Sequence, residues 1–536
     1  MTSSSGTSRL AGALAGMRST RAQAPRLLTP ARPQPAMIDG FELTSEQLEI
    51  LASGARLIKV QAFAGTGKTT LLRALARQAK SAKGLYLAFN ASIAMHARAV
   101  FPGNVECRTH NSMALSELRK RSPAWRDLRK DKIGHLGVEH LEAIPGMGGQ
   151  NLEWVLKTIL HFMHSEAAEI DEGHFPLDDA LFFGNNALAA DPLACVKAAR
   201  EAWRVISDPA SAIPIPHDGY LKLWGQSPGQ LDFDFVMVDE SQDSNPAFLA
   251  GMAEQRSRQI FVGDEHQGIY AFRGAINALS TLSGFETRAL TLTHRFGHRL
   301  ALLANAIISS KGGSIQLSPS AAAADTQIVM GSAPLGIAPL CLARSNAGLF
   351  GKALELSQHG KQFHLVGGSK FAFADLDDLM RLSGGDRQEG AYRAYASLDE
   401  LAQAALGQGR GDLALRAKLA KKHGDNLRGM LDSINAKSIE SSRASPDAPR
   451  LSTLHQAKGL ESPWVEILDD FPASGCIQNP PALRGDTDLE EANILYVALT
   501  RAKEGLAISS GPVREWAQRL LAAAPAQRQE AEQDLF

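Results

Sequence analysis

The sequence predicts an α/β protein with two parallel-sheet cores, each interrupted by a mainly helical insertion. The first observation is a strand–turn–helix–strand succession at residues 56–90, which forms one βαβ unit and therefore implies a parallel sheet. The second is that α/β patterns return at residues 233–345, after a helical stretch at residues 111–230. The third is that they return again at residues 450–508, after a polar, helical stretch at residues 372–450.

Composition limits the class of protein. The chain has 536 residues, which at about 100–200 residues per domain indicates about three or four domains. Its 44% hydrophobic and 21% charged residues are an ordinary globular balance. No apolar run approaches the ~18 residues that a membrane span needs, so we expect no membrane partner. Because the formal net charge is −1, any polyanion must bind a local patch rather than the whole surface.

The four cysteines lie far apart and form no CxxC or Cys/His cluster. We therefore expect buried thiols in a reducing compartment and no zinc site. The four are Cys107, Cys195, Cys341 and Cys476.

The first 38 residues differ from the rest, because they are rich in Arg, Ala, Ser and Pro and contain no Asp or Glu. We expect a disordered basic arm here. A transit peptide and a true translation start at Met37 remain alternatives.

Residues 60–72, VQAFAGTGKTTLL, place a glycine-rich turn between a strand and a helix. In this context backbone N–H groups surround phosphate oxygens, Lys68 reaches the β- and γ-phosphates, and the Thr69 hydroxyl binds Mg²⁺. The strict pattern has Gly at position 62, where this chain has Ala62, so a plain turn remains the alternative. The predicted nucleotide cradle is Ala64, Gly65, Thr66, Gly67, Lys68, Thr69 and Thr70.

Residues 235–243, FVMVDESQD, supply the carboxylates that nucleotide hydrolysis needs. Asp239 at the end of a strand suits Mg²⁺, usually through water, and Glu240 is placed to orient or deprotonate an attacking water. An acidic turn after a strand is the alternative. Arg295 and Arg501 are candidates for positive charge at the γ-phosphate, although spacing alone also fits surface arginines. We therefore expect ATP and Mg²⁺ as cofactors.

A series of short motifs runs in order from residue 43 to residue 503. The motifs are LTSEQ (43–47), AFAGTGKTT (62–70), YLAFN (86–90), RTHNSMA (108–114), VDESQD (238–243), VGDEHQGIYAFRGA (262–275), LTHRFG (292–297), TLHQAKGLE (453–461) and LYVALTRAK (495–503). This ordered series resembles the superfamily 1 DNA helicases of the UvrD, Rep and PcrA type. Three stretches look closest to the branch of the eukaryotic F-box DNA helicase and its bacterial relatives, namely HFMHSEAAEIDEGHFP (161–176), DSNPA (243–247) and HRFG (294–297).

The resemblance implies two RecA-like P-loop NTPase domains, with parallel sheets flanked by helices and ATP in the cleft between them. It also implies 3′→5′ movement on single-stranded DNA. The expected domains are the basic arm 1–38, motor domain 1A at 39–110 and 231–285, helical insertion 1B at 111–230, motor domain 2A at 286–371 and 451–515, short helical insertion 2B at 372–450, and a C-terminal helix and tail at 516–536.

Matching positions imply roles for individual residues. Gln47 would read the adenine edge, and Glu461 would bind the ribose. Gln267 would couple the γ-phosphate to the DNA-binding face. Arg295 and Arg501 would contact the γ-phosphate.

The implied partner is single-stranded and tailed duplex DNA, bound by base stacking and by neutralisation of the backbone. For Phe89 and Tyr270 a role in the core remains an alternative, and His455 is alternatively a packed histidine. The implied DNA contacts are Phe89, Thr109, His110, Tyr270, Phe272, Arg273 and His455.

The sequence departs from the family pattern at two places, and its C-terminus suggests a further partner. His294 replaces the aromatic residue that usually stacks on adenine, although imidazole can also stack. The insertion at 372–450 is much shorter than in UvrD, which leaves processive unwinding open. The final residues, Asp534, Leu535 and Phe536, resemble peptides that dock into the bacterial sliding clamp, and a frayed terminus is the alternative.

The expected function is that of an ATP-dependent 3′→5′ DNA helicase in DNA repair, replication or recombination. The alternative within this class is a translocase that strips recombination proteins from single-stranded DNA with little unwinding. A DNA-binding scaffold with an inactive ATPase and an RNA helicase are alternatives from other classes. The expected location is the bacterial cytoplasm, in association with the nucleoid, with organellar targeting by the arginine-rich N-terminus as the less favoured alternative.

Overall fold

The chain divides into two compact units between Leu290 and Thr291. The computed structural model describes residues 37–38, 40–148, 151–177, 191–269, 277–368, 373, 375–385, 392, 395–407, 411–440, 447–471 and 486–533. Each unit contains one six-stranded sheet, and all paired neighbours within both sheets are parallel. The predicted α/β class with two parallel-sheet cores is therefore confirmed.

The sheet of unit 1 has the strand order β3–β2–β4–β5–β1–β6. Its central strands are largely buried, as expected for a parallel sheet that is covered on both faces. The strands are β1 Leu57–Ala62, β2 Gly84–Ala88, β3 Val105–Thr109, β4 Phe235–Val238, β5 Arg258–Gly263 and β6 Glu286–Leu290.

The last strand of unit 1 corrects the predicted domain boundary at residues 285/286. Strand β6 pairs with β1 in parallel, from Ile58 opposite Glu286 to Ala62 opposite Leu290. Residues 286–290 therefore belong to the first sheet, whereas the sequence analysis assigned them to motor domain 2A. The pattern TRALTLTHR reads as one stretch, and only the pairing shows that it spans two units.

The helical insertion of unit 1 shares a core with one face of this sheet. Alternate residues of β2 point to opposite faces, so Leu85 and Leu87 pack with the insertion, while Tyr86 and Ala88 pack on the other side. The helices are Ser45–Ala52, Lys68–Gln78, Ala91–Val100, His110–Arg121, Pro123–Arg126, Val138–Glu142, Leu152–Met163, Pro192–Ser207, His217–Gln226, Pro246–Ala253 and Ala278–Thr281. Short 3₁₀ turns occur at Lys130–Lys132, Glu172–His174, Ser241–Asp243 and Glu265–Gln267.

The sheet of unit 2 has the strand order β7–β12–β11–β8–β10–β9. Its strands are β7 Gln327–Met330, β8 Leu340–Ala343, β9 His364–Leu365, β10 Arg450–Thr453, β11 Ser462–Ile467 and β12 Ala502–Ile508. Its helices are His298–Ser310, Asn346–Gln358, Leu376–Ser383, Leu398–Gly407, Gly411–His423, Asn426–Lys437, Leu454–Ala457, Asp486–Leu499 and Gly511–Gln533. The helices between residues 376 and 437 pack on the same apolar core as β8 and β10.

Two further strand pairs are only two residues long. Met37–Ile38 pairs with Phe41–Glu42 in the antiparallel sense, and Leu292–Thr293 pairs with Ser318–Pro319 in parallel.

Three of the four cysteines are buried free thiols, as the sequence predicts, namely Cys107, Cys195 and Cys341. Cys476 lies outside the described residues. Within the part of the chain that the structure describes, no group of three or more His, Cys, Asp or Glu residues is placed to hold a metal ion. No described helix is both long and apolar enough to cross a membrane.

A buried lysine joins the helices of the first insertion. Lys222, in the helix His217–Gln226, is fully buried, and its Nζ donates to the carbonyl oxygens of Ser165 at 2.7 Å and Ala167 at 2.6 Å. The same Nζ lies 4.1 Å from the centre of the Phe162 ring. Burial lowers the pKa of Lys222 to about 7.

We predict that Lys222 makes the stability of unit 1 rise with pH. Between about pH 7 and pH 10 the unfolded chain holds a proton on this lysine that the folded chain has released. The free energy of unfolding should therefore increase with pH, by at most ~1.4 kcal/mol per pH unit from this one group. Urea unfolding at pH 7 and pH 9 should show that the wild type gains stability relative to Lys222→Met.

The exposed Lys83 provides the control, because Lys83→Met removes a lysine whose ammonium is half-exposed beside Asp232. We expect the stability difference between this variant and the wild type to stay nearly constant over the same pH range. If Lys222→Met behaves in the same way, the buried lysine is not the source of the pH dependence.

Candidate nucleotide-binding site

The glycine-rich turn between β1 and the helix Lys68–Gln78 has the backbone conformation of a phosphate cradle. Gly65 has φ 76° and Gly67 has φ 80°, in the left-handed region that glycine adopts without strain. No described side chain caps the N-terminus of this helix, which begins at Lys68. Free N–H groups at a helix N-terminus, together with the lysine, fit the phosphates of a nucleotide. Thr69, on the first helical turn, is exposed.

The side chain of Gln47 contacts the backbone of this turn. Its Nε2 lies 3.5 Å from the carbonyl oxygen of Thr66 and 3.3 Å from that of Gly67. Its Oε1 accepts from the backbone N–H of Thr44 at 3.0 Å. A Cβ on Gly67 would lie only 2.7 Å from Gln47 Nε2, so the packing requires glycine there. The contact of Gln47 with adenine remains a prediction, and the structure adds a bracing contact that the sequence did not reveal.

Asp239 follows strand β4 and is held on both carboxylate oxygens. Its Oδ2 accepts from the Tyr86 hydroxyl at 2.6 Å, and its Oδ1 accepts from the Glu240 N–H at 2.9 Å. Tyr86 reaches it because β2 and β4 are neighbours, with Tyr86 opposite Met237. Sequence analysis did not identify Tyr86 as a site residue, and its place in the motif YLAFN was the only available signal.

Burial is the main reason why the pKa of Asp239 is raised, and the adjacent Glu240 raises it further. Lys68 acts in the opposite direction. A cation beside Asp239 would stabilise its ionised form. The Asp239 carboxylate and the Thr69 hydroxyl are oxygen donors of the kind that Mg²⁺ binds.

Glu240 has a strained backbone and a carboxylate that faces the cradle lysine. Among the described residues it is the one non-glycine residue with a positive φ, at 50°. Such conformations cost free energy and are concentrated at functional sites. Its Oε1 lies 3.5 Å from Lys68 Nζ, and its Oε2 accepts from Gln242 Nε2 at 2.6 Å. The structure therefore brings together Lys68, Asp239 and Glu240, and their roles in nucleotide hydrolysis remain predictions.

The turn after β5 carries Gln267 next to the same site. Gln267 Nε2 donates to Asp264 Oδ2 at 2.7 Å, and both residues are buried. In this turn His266 stacks on Phe63 of the glycine-rich loop, with ring centroids 5.5 Å apart and planes at 6°. The coupling role of Gln267 remains a prediction, and its position beside the cradle is consistent with that role.

In unit 2 a predicted phosphate contact and a predicted ribose contact are neighbours. Arg295 donates to the Thr500 carbonyl oxygen at 2.8 Å and forms an ion pair with Glu461, which also pairs with Lys503 at 2.8 Å. Burial acts to raise the pKa of Glu461, but Arg295, Lys503 and Arg501 outweigh it, and the pKa is lowered. His294, which directly precedes Arg295 in the chain, is exposed.

Arg501 is buried, with 2% of its surface exposed. Its guanidinium donates to the carbonyl oxygens of Val497 at 3.1 Å and Leu460 at 3.3 Å, and to the Thr500 hydroxyl at 3.3 Å. The alternative that this residue is a surface arginine is therefore wrong. Its contact with a γ-phosphate remains a prediction.

The structure describes only some of the predicted DNA contacts. Phe89 is half-buried directly after β2, and the Thr109 hydroxyl accepts from the Ser112 N–H at 3.1 Å, which caps the helix His110–Arg121. Tyr270, Phe272 and Arg273 lie outside the described residues, as do the clamp-peptide residues Asp534, Leu535 and Phe536.

His110 corrects the prediction that it contacts DNA directly. Only 6% of its surface is exposed, and its ring stacks on Phe248 with centroids 4.0 Å apart. Burial lowers the pKa of His110 to about 3, so the ring is neutral at neutral pH. The structure places it in the core, where it anchors the helix that Thr109 caps.

His455 is half-buried in the short helix Leu454–Ala457. Burial, and then the charge of Arg344, lower the pKa of His455 to about 4. A neutral, half-buried imidazole retains a face for stacking and also fits a packed histidine, so both alternatives remain open.

Comparisons with known proteins agree with the motifs. Residues 227–286 match the family model of the UvrD/REP helicase N-terminal domain, and residues 414–511 match that of the UvrD-like helicase C-terminal domain. Together with the two parallel sheets, these matches confirm the predicted pair of RecA-like P-loop NTPase domains.

Two curated proteins are similar over most of the chain. F-box DNA helicase 1 of Gallus gallus is 32% identical over 505 residues, which cover 87% of this chain and 49% of that protein. F-box DNA helicase protein 1 of Schizosaccharomyces pombe is 28% identical over 512 residues, which cover 87% of this chain and 57% of that protein. The chain thus spans about half the length of the curated relatives it matches.

A solved structure, Arterivirus nonstructural protein 10 (helicase), overlaps 86% of this chain and 61% of its own chain, at 11% identity and a TM-score of 0.31.

We predict that Tyr86→Phe lowers the free energy of unfolding of unit 1 more than the loss of another buried tyrosine hydroxyl does. The variant leaves one oxygen of the buried Asp239 without its donor, which should cost about 1–3 kcal/mol of unfolding free energy. The matched control is Tyr220→Phe, since the hydroxyl of that buried tyrosine is hydrogen-bonded to the ring of His217. Denaturant unfolding of both variants tests this, and an equal or smaller cost for Tyr86→Phe would contradict the proposed support of Asp239.

Proposed function

We propose that this chain is an ATP-driven DNA helicase. The premise is that it is a homologue of the UvrD-like helicases, with matches to both their N-terminal and C-terminal domains. The observation that carries the proposal is the approach of Lys68 to Glu240 at the mouth of the glycine-rich turn, with Asp239 held behind them. This is the arrangement of charges that ATP hydrolysis requires.

The candidate site residues of unit 1 each have a defined role in this proposal. The backbone N–H groups of the turn and Lys68 bind and orient the phosphates, so that the scissile bond is held in place. Glu240 holds the attacking water and accepts its proton, since its second oxygen is fixed by Gln242. Thr69 and Asp239 would hold Mg²⁺, which when bound neutralises phosphate charge.

The remaining roles are proposed for residues of unit 2. Arg295 and Arg501 would neutralise negative charge that develops at the γ-phosphate, and Glu461 would bind the ribose. In the structure both arginines donate to protein acceptors, Arg295 to the carbonyl oxygen of Thr500 and Arg501 to that of Val497. The Arg295–Glu461 ion pair would therefore be exchanged for contacts with the nucleotide.

The proposed substrate is DNA, with movement in the 3′→5′ direction on a single strand and separation of a tailed duplex. Support comes from the motif series and from the two relatives, whose names are those of DNA helicases. The proposed setting is DNA repair, replication or recombination. The short insertion at 372–450 favours a second candidate, a translocase that displaces recombination proteins and unwinds poorly.

We predict that Glu240→Gln reduces DNA-stimulated ATP hydrolysis by roughly 100-fold or more, because the amide cannot accept the proton of water. ATPase rates with and without single-stranded DNA measure this effect. The control is Glu254→Gln, an exposed glutamate in the same unit, which should retain the wild-type rate. A wild type that is indifferent to DNA, or a Glu240→Gln variant as active as the control, would contradict the proposed motor.

Duplexes with a 3′ tail, a 5′ tail or no tail distinguish the two candidates. A helicase with the proposed polarity should separate the 3′-tailed duplex at a rate that depends on ATP, and should leave the 5′-tailed duplex intact. A translocase should release a protein block from the 5′ end of a single strand while leaving both duplexes paired. Separation of the 5′-tailed duplex alone would contradict the polarity.

A further inference from the structure

Gln242 bridges the ends of two neighbouring strands of unit 1. It follows β4, only 2% of its surface is exposed, and its Nε2 donates to Glu240 Oε2 at 2.6 Å and lies 3.3 Å from Asp243 Oδ2. On the other side its Oε1 accepts from the Asp264 N–H at 3.0 Å, directly after β5. One buried amide therefore connects the carboxylate of Glu240 with the next turn of the site.

The chemistry of the partners defines the orientation of this amide. Carboxylate oxygens can only accept, and a backbone N–H can only donate. If the amide of Gln242 were rotated by half a turn, its oxygen would face two carboxylates and its NH₂ group would face the Asp264 N–H. The observed orientation is the one that satisfies all three partners.

Gly263 supplies the space for this bridge. A Cβ at Gly263 would lie 2.5 Å from Gln242 Oε1 and 2.7 Å from Ser241 Oγ. Any larger residue would therefore push the amide away from the end of β5. The glycine is required by this close approach, which is independent of the hydrogen bonds themselves.

Asp264 continues the connection to Gln267. Its Oδ2 accepts from Gln267 Nε2 at 2.7 Å, and its Oδ1 accepts from the His266 N–H at 3.1 Å. Asp264 is fully buried, so these bonds lie in a medium where unpaired polar groups are costly. A continuous series of hydrogen bonds therefore runs from Glu240 through Gln242 and Asp264 to Gln267, and it is buried from Gln242 onward.

We propose that Gln242 and Asp264 form a relay that couples Glu240 to Gln267, and thereby ATP hydrolysis to the binding of DNA. This inference rests on the proposed function and adds positioning residues to it. Glu240 faces Lys68, which on the proposed function binds the phosphates, so a change in the position of Glu240 on hydrolysis shifts the amide of Gln242. The shift moves the Asp264 N–H and the side chain of Gln267 in turn.

The relay predicts a specific loss of coupling in Gln242→Met. Methionine has a similar length but neither donates nor accepts strongly, so the connection breaks while the volume is nearly retained. We expect the ratio of DNA-stimulated to basal ATPase rates to fall roughly two- to thirtyfold, the range for residues on a coupling route. Because coupling between sites is reciprocal, the effect of a non-hydrolysable ATP analogue on affinity for single-stranded DNA should weaken by a similar factor.

Gln259→Met is the matched control. Gln259 is also a buried glutamine in unit 1, on β5, and its Nε2 donates to the carbonyl oxygens of Met252 and Gln255, away from the site. It should lose similar stability on substitution but retain the wild-type stimulation ratio and the wild-type effect of the analogue. A purely structural role for Gln242 would make the two variants equal in both readouts.

Gly263→Ala tests the relay without changing any hydrogen-bonding side chain and serves if Gln242→Met does not fold. Its Cβ displaces the amide, so the stimulation ratio should fall in the same direction. A stimulated wild type together with an equally stimulated Gln242→Met or Gly263→Ala overturns the relay alone. A wild type without DNA stimulation contradicts the proposed function, and the relay falls with it.

Discussion

The parallel pairing of β1, β2, β4 and β5 is the constraint on which the site in unit 1 depends. Because β4 pairs with both β2 and β5, and β5 pairs with β1, all four strands end at one edge of the sheet. The glycine-rich turn, the acidic pair and the turn of Gln267 each follow one of these strands. Residues that are about 200 positions apart in the chain can therefore form hydrogen bonds with one another.

Burial of charge is the second property that organises the molecule. Asp239, Lys222 and Arg501 are all nearly inaccessible, and each is surrounded by donors or acceptors that match its chemistry. An ion or polar group without such partners would lose more free energy on leaving water than packing could return. The hydrogen bonds of these three residues therefore fix the orientation of their side chains.

The sequence predicted features that depend on local spacing and missed those that depend on partners across the sheet. The cradle was predictable because Gly65, Gly67 and Lys68 are close in the chain, and the acidic pair was predictable because an apolar strand precedes it. Tyr86 and Gln242 were not, since nothing local reveals which residue lies on the adjacent strand. The burial of His110 was missed for the same reason, because Phe248 is remote in sequence. The shifted domain boundary likewise became visible only through the pairing of β6 with β1.

The backbone of Glu240 shows that this fold has not been optimised for stability. A φ of 50° is a conformation that glycine or asparagine would adopt at lower free energy, yet a residue with a long carboxylate occupies the position. The strand end therefore stores strain that the surrounding hydrogen bonds must hold in place. Sequence changes selected only for thermal resistance would tend to relax this position first and remove the carboxylate with it. On the proposed function, Glu240 illustrates a trade-off in which a strained backbone position is retained because its side chain would activate water.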